Sequence, residues 1–487
     1  VRLTILSRAS SLARLQTALV ERALRAAHPG LEIECLTRSS AGDQDQTSPL
    51  WKLPDKGAFT ADLSQALVDG HADVVVHSFK DLPIEMPAGT RIAGALPRAD
   101  ARDVVLIKQG VVESRPESIR ILSSSPRRGW LLGDVLPALL PWPVRSIEAV
   151  PVRGNIETRL RKLIEGQDDG LVVAKAALDR LLGFGAPFTR EAETVRGYLD
   201  RCRWMVMPMR EFPWAPAQGA IAIEVAEGRG EAESLIAAVA CGATAASAAA
   251  ERKVLADHGG GCHQALGAAV VEKPYGRIVS IRGRDTAADV WNLECHRPAF
   301  PRTAADRLWP APGMDVSSER RPIDVAQPTA DGLWVSRAEA LPRNWSIDRT
   351  VVWAAGSKTW KRLASRGIWV NGSADGLGDD EQPPVDLLAG RIVSWVRLTH
   401  DGARLPEALA TYQVETALPD DLSSRSHFYW TSGELFIQAV RRWPSIRAGW
   451  HASGPGRTRE AIHRELGASD RVGVWLDRAA WERDVCL

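Results

Sequence analysis

Residues His77, Ser78, Phe79, Lys80 and Asp81 follow directly on the apolar run Val74, Val75, Val76. An ammonium beside a carboxylate gives a site one group to hold an anion and another to stabilise a developing cation. The plain alternative is a surface ion pair at a strand end. The valines, bounded by Gly70 and Pro83, predict a short buried strand, because β-branched side chains pack well on a pleat. Open α/β sheets bind ligands beyond the carboxyl ends of their strands, which is where His77, Ser78, Lys80 and Asp81 fall.

Four more clusters could do chemistry. Arg8 and Ser10 stand between a strand around Leu3 and Ile5 and a helix in which Leu12, Leu15, Leu19, Ala23 and Ala27 recur at helical steps. Backbone amides at a helix start favour an anion and a guanidinium clamps one; a solvated arginine is the alternative. Ser123, Ser124, Ser125, Pro126, Arg127 and Arg128 follow a predicted strand over 119–122 and suit carboxylate or phosphate, or else form a solvated turn. Arg153 precedes a helix capped by Asn155, with stripe Ile156, Leu160, Leu163 and Ile164. The macrodipole opposes a cation there, so Arg153 is better placed for a bound anion than for helix stability. Gly259, Gly260 and Gly261 leave Cys262 open to a bulky group, although a free cysteine also serves as a small core residue.

The elements that position these groups alternate. A second strand is predicted over 31–38, a polar loop over 39–56, and a helix with Phe59, Leu63, Ala66 and Leu67 on one face. Strands follow at 92–96 and 104–107, with 97–102 crossing between two lobes, then at 150–152, 171–174 and, as a return strand, 221–225. The alanine-rich span 235–255 and strands near 268–271 and 278–281 predict a third, smaller lobe. A chain of 487 residues suggests about three or four domains. A net charge of +1 gives no global field for nucleic acid or an anionic membrane. No apolar run approaches 20 residues, so neither a signal peptide nor a membrane span is expected. The six cysteines lack CxxC or zinc spacing, which fits a reducing cytoplasm and no metal site. Eighteen tryptophans have no chemical account beyond filling cores.

In order and spacing, Arg8 to Gln16, Lys56-Gly57, His77 to Pro83, the cluster 123–128, Arg153 to Leu163, Gln218-Gly219-Ala220, Glu251-Arg252 and Gly260-Gly261-Cys262 resemble the porphobilinogen deaminases, or hydroxymethylbilane synthases. The match covers roughly 2–295. It implies two α/β lobes of periplasmic-binding-protein type, 1–96 with a return segment near 212–232 and 97–211, and a small α+β domain at 233–296 that bears the cofactor. The implied reaction condenses four porphobilinogen molecules head to tail with loss of ammonia, on a dipyrromethane joined to Cys262 by a thioether. The resemblance makes Asp81 and Lys80 catalytic, with Asp81 stabilising a cation at the pyrrole nitrogen and Lys80 keeping it ionised. It assigns Cys262, Lys80, Asp81, Ser123, Ser124, Ser125, Arg127, Arg128 and Arg159 to the cofactor. Arg8, Ser10, Gln16, Lys56, Arg153, Arg159 and Arg180 fall to the substrate. Asp55 in place of a glycine, Pro126 in place of a leucine, a long 129–150 segment and His263-Gln264-Ala265 depart from the family pattern.

Residues 297–332, with six prolines, read as a linker. Beyond it, 333–487 resembles a shortened uroporphyrinogen III synthase, on Thr431-Ser432-Gly433 and the turns near Gly356-Ser357-Lys358-Thr359 and Gly456-Arg457-Thr458, and lacks a strand-helix unit after Arg337. Such a fusion would carry hydroxymethylbilane to a tethered cyclase. The expected partners are the small molecule porphobilinogen and, as candidates, other tetrapyrrole-pathway enzymes, with no nucleic acid and no membrane. A two-lobed polycarboxylate-binding protein without turnover, and an active deaminase with a scaffold tail, remain as alternatives.

Overall fold

A computed structural model describes residues 1–38, 60–260, 264–285, 288–294, 298–314, 319–378, 382–403, 407–415, 417–467 and 469–487. The fold is mixed α/β. The chain divides into two units, Val1–Glu272 with Val279–Trp291, and Lys273–Ile278 with Asn292–Leu487.

In the first unit, strands β1 (Arg2–Arg8), β2 (Glu32–Arg38), β3 (Val74–Ser78) and β4 (Thr90–Ala95) begin one sheet, and β5 (Asp103–Lys108), β6 (Ser118–Leu122), β7 (Ser146–Val150), β8 (Gly170–Ala174) and β9 (Cys202–Val206) make the next. The chain then returns as β10 (Ile221–Ala226). The strand orders are β2-β1-β3-β10-β4 and β7-β6-β8-β5-β9. β1 is parallel to β2 and β3, while β10 is antiparallel to β3 and β4. The second sheet repeats this, with β6 parallel to β7 and β8 and β5 antiparallel to β8 and β9. Each sheet thus takes in one strand delivered from the other lobe, and the connections 96–102 and 207–220 form a double hinge. Helices Gly230–Ala237 and Gly242–Asp257 and a three-stranded sheet of β11 (Leu266–Lys273), β12 (Gly276–Gly283) and β13 (Ala288–Glu294) follow.

Local sequence accounts for the elements nearest the cleft. Ser10 caps helix Ser11–Ala27, its hydroxyl accepting from the Ala13 amide at 3.3 Å. That helix buries Leu15, Val20 and Leu24, with Leu19 and Ala23 of the predicted face packed beside them, while Leu12 lines the site. Leu3, Ile5, Val74 and Val76 meet Val20 and Leu24 on one side of the sheet, and Leu6 and Val75 meet Leu63 and Leu67 on the other. Each such side chain contributes roughly 1.5–3 kcal/mol when fully buried. Asn155 caps Ile156–Glu165, and Ser125, followed by proline, caps Pro126–Val135. The predicted strand at 150–152 lies earlier, as β7, and Arg180 falls within helix Lys175–Gly183.

The second unit has two sheets. Its strands are β14 (Leu308–Trp309), β15 (Glu319–Pro322), β16 (Gly332–Val335), β17 (Val351–Ala354), β18 (Gly372–Ser373), β19 (Trp395–His400), β20 (Ala408–Glu415), β21 (His427–Trp430), β22 (Trp450–Ser453) and β23 (Val472–Val474). They assemble as β15-β20-β19-β16-β17-β18 and as an all-parallel β14-β21-β22-β23. The stretch read as a linker is therefore corrected: β14 and β15 lie within 297–332 and pair with β21 and β20. Prolines marked its irregular parts, while the pairing depended on strands about a hundred residues away. Parallel β16 and β17 are joined through only the short 3-10 turn Ala338–Ala340, where a helix was expected to be missing.

Tryptophan fills these cores. Trp353, Trp360, Trp430 and Trp481 are fully buried, and the Trp309 and Trp430 rings lie 4.6 Å apart. The Trp430 indole donates to His451 Nδ1 at 3.0 Å, so Nε2 carries the hydrogen and donates to the Ile446 carbonyl at 2.9 Å. Burial pushes the His451 pKa down to about 4, against the Ile446 bond. The unfolded chain therefore binds a proton that the folded one refuses between about pH 6.5 and 4. We expect the second unit to lose roughly 3 kcal/mol across that window. Urea unfolding followed by tryptophan fluorescence at pH 7 and 4.5 should show it, and His451→Gln should flatten the difference.

Candidate active site

β3 ends at Ser78, and a 3-10 turn, Phe79–Asp81, carries the chain out of the sheet. Asp81 is exposed at the edge of a recess of about 80 Å³ lined by Arg8, Ser10, Leu12, Ala13, Gln16, Thr60, Val76, His77, Ser78 and Asp81. Arg8 ends β1 and Gln16 sits one turn inside its helix, so two adjacent strand ends and one helix furnish the walls. Gln16 is held by reciprocal bonds with the Ser78 hydroxyl at 2.9 and 3.0 Å. Beneath them, His77 Nε2 donates to the Glu224 carboxylate at 2.7 Å and Ser64 donates at 3.0 Å. Burial raises the Glu224 pKa, but these bonds outweigh it and hold it below the ordinary value.

Lys80 points toward the hinge and donates to Gln218 Oε1 at 3.2 Å. The Lys80 ammonium is thus directed at the hinge while Asp81 stands at the edge of the recess. The charges still feel one another. Burial and the Arg128 charge push the Lys80 pKa down to about 8, and Asp81 opposes the shift.

In the other lobe, Arg127 and Arg128 are buried. Arg128 donates to Asp103 at 2.6 Å, and Arg127 donates to Asp103 at 2.8 Å and to the Pro213 carbonyl at 2.8 Å. Both terminal nitrogens of Arg127 thus brace the hinge. Arg180 donates to the Gly219 carbonyl at 2.6 Å through one terminal nitrogen. The serines are tied to backbone. Ser124 donates to the Val152 carbonyl at 2.5 Å and accepts from its amide, Ser125 caps its helix, and Ser123 accepts from the Ser125 amide. Arg159 is different. One nitrogen donates to the Gly154 carbonyl at 2.8 Å, and burial, Arg128 and Arg153 together push its pKa down to about 10, against the attraction of Asp81. Lys80, Arg128, Arg153 and Arg159 thus crowd a region in which Asp103 already serves two guanidiniums.

The third element meets the same place. Arg252, on helix Gly242–Asp257, donates to the carbonyls of Leu82, Pro83 and Ile84 and lies over the Phe79 ring. Gly260 adopts φ +67°, and a Cβ there would stand 3.0 Å from Ile84. The start of the cysteine loop therefore packs against the segment that follows Asp81. Cys262 itself, like Lys56, lies outside the described residues.

Sequence reasoning missed Asp103 and Glu224, and it quoted Glu251 and Gln218 without a role. Glu251, fully buried, accepts from Arg98 at 2.9 and 2.7 Å, from Trp214 at 2.9 Å and from the amides of Ala217 and Val270 at 2.7 and 2.8 Å. A usable signal existed: Glu224 interrupts an apolar strand and Asp103 opens one, where a buried charge must find a partner.

These features define a class first: a two-lobed α/β protein with cations gathered from both lobes, an exposed carboxylate, Asp81, at the edge of a recess, and a third element brought to it. Residues 3–234 match the family model described as "Porphobilinogen deaminase, dipyromethane cofactor binding domain". The porphobilinogen deaminase of Bordetella parapertussis is 36% identical over 346 residues, covering 70% of this chain and 97% of that protein. That of Roseiflexus castenholzii is 36% identical over 288 residues, covering 58% of this chain and 87% of that protein. A periplasmic solute-binding protein from Rhodobacter sphaeroides, 10% identical, overlaps 53% of this chain and 82% of its own with a TM-score of 0.27, too low to carry any argument.

The chain belongs to the porphobilinogen deaminase family. The expected hydroxymethylbilane synthase activity in tetrapyrrole biosynthesis, its substrate porphobilinogen and its dipyrromethane cofactor agree with that membership. The residues fit the group. Burial and neighbouring guanidiniums push the Lys80 and Arg159 pKa values down, a cost that an anionic guest offsets, and dipyrromethane brings several carboxylates. Among the described residues, no single helix is long and apolar enough to cross a membrane.

Proposed function

We propose that Asp81 is the catalytic carboxylate of this chain, and that Lys80, Arg128 and Arg159 hold the carboxylates of a dipyrromethane attached to Cys262. The observation that carries this reading is the convergence of Asp81 with mutually repelling cations from both lobes. When bound, dipyrromethane supplies the nucleophilic pyrrole end on which porphobilinogen units are joined. Arg8, Ser10 and Gln16, with Arg153 across the cleft, seat the acetate and propionate of an incoming porphobilinogen at the recess; Lys56 joins them in this reading. Asp81 faces the pyrrole N–H. As ammonia departs, positive charge develops on that ring, and an ionised carboxylate at its edge lowers the barrier. The same carboxylate can then take the proton released when the new ring junction regains aromaticity. A receptor that only captured polycarboxylates would have no use for Asp81 at this edge.

The domain division 1–96 with 212–232, 97–211 and 233–296 is supported by the sheet orders. A cytoplasmic setting suits a free Cys262 thiol, and Cys35, Cys202, Cys241 and Cys486 are free. For residues 333–487 we propose a uroporphyrinogen-III-synthase-like cyclase. Helices Ser357–Ala364, Gly433–Arg442 and Arg457–Leu466 begin directly after the parallel strands β17, β21 and β22, which supports a ligand cleft at those strand ends.

Two measurements test the two parts. The denatured intact mass of the wild type should exceed the sequence mass by two condensed porphobilinogen units, and Cys262→Ser should lack that increment. A wild type that stays unmodified after incubation with porphobilinogen would sink the deaminase reading. The product isomer, read after oxidation, should be type III; type I alone would leave the C-terminal part as a scaffold.

A further inference from the structure

The Gln218 side chain is buried between the two connections that join the lobes, and its amide has four partners. Nε2 donates to the Ala101 carbonyl at 2.7 Å and to Asp103 Oδ1 at 2.9 Å. Oε1 accepts from Lys80 Nζ at 3.2 Å and from the Arg128 guanidinium at 3.4 Å. A carbonyl and a carboxylate can only accept here, and an ammonium and a guanidinium can only donate, so chemistry fixes which way the amide faces. The backbone beneath it is equally constrained. Ala217 and Gly219 have φ of +62° and +83°, and a Cβ on Gly219 would lie 2.7 Å from the Ala99 carbonyl oxygen. The Ala217 amide is bound by Glu251 and the Gln218 carbonyl by Arg98 at 2.9 Å.

A carboxylate at this point would neutralise Lys80 and crowd Asp103. An apolar side chain would leave Lys80 without an acceptor. A neutral amide orients the ammonium while leaving its full charge for a guest. We infer that Gln218 is a positioning residue that sets Lys80 of one lobe beside Arg128 of the other as a paired cation for carboxylates of the bound pyrrole chain. This rests on the reading of Lys80 and Arg128 given under Proposed function.

The test compares wild type, Gln218→Met and Gln218→Glu as full-length holoprotein, with intact mass, thermal unfolding and the pH dependence of kcat/KM for porphobilinogen. Gln218→Met should raise KM about 10- to 100-fold, the loss expected for one charge-assisted hydrogen bond. Gln218→Glu gives Lys80 a carboxylate partner, so the alkaline limb of kcat/KM should move up by about one pH unit while KM rises. Variants that carry the cofactor with wild-type KM and an unmoved alkaline limb would overturn the inference. Failure of both variants to fold would also overturn it, because the amide would then serve the fold. A wild type without the covalent adduct would instead bring down the underlying reading, and this inference with it.

Discussion

Asp81→Asn lowers kcat for ammonia release about 10²- to 10³-fold while thermal unfolding stays within a degree or two of wild type. The magnitude is that of removing one preorganised group from a developing charge. The small change in stability follows from exposure: Asp81 stands at the edge of the recess and acts on Lys80 and Arg159 only through space. Asparagine keeps the shape and removes the charge, which separates electrostatic stabilisation from packing. Ammonia release measured in a single turnover, per mole of folded protein, gives the answer. A drop smaller than tenfold would take the catalytic role away from Asp81.

Asp103→Asn has the opposite profile, a large loss of stability. This carboxylate is fully buried and receives Arg127 at 2.8 Å, Arg128 at 2.6 Å and the Gln218 amide at 2.9 Å. Removing its charge leaves two buried guanidiniums facing each other, and breaking a buried pair in this way costs about 3–5 kcal/mol. Burial raises the Asp103 pKa, but Arg128 and Arg127 outweigh it and hold the carboxyl well below the usual carboxylate range. Its stabilisation is therefore complete above the unfolded value near 3.9 and lost as pH falls below that. Urea titration of the full chain at pH 7 should shift the midpoint of the first unit's transition downward. The wild type should approach the variant only below about pH 3. A shift worth less than about 1 kcal/mol would mean that the hinge tolerates unpaired arginines, against the view of the cleft taken here.

The sequence by itself determined the elements and the chemistry they present. Ser10, Ser125 and Asn155 cap helices because a cap needs only a side chain and an amide three residues on. Val74 to Val76 form a strand because neighbouring β-branched residues suffice to favour one, and the groups that follow appear at its carboxyl end for the same local reason. The order of motifs was enough to indicate the family. Only the tertiary structure decided which charges are available. Arg127 is paired with Asp103, 24 residues away, Arg180 donates to Gly219, 39 away, and Lys80 is oriented, with its charge unneutralised, by Gln218, 138 away. The tail shows the same division: its prolines were legible, but the pairing of β15 with β20 was not. A guanidinium reads alike in sequence whether it lines a cleft or braces a hinge. Its role depends on the desolvation it meets and the partner it finds when distant segments close, and those are properties of the folded chain.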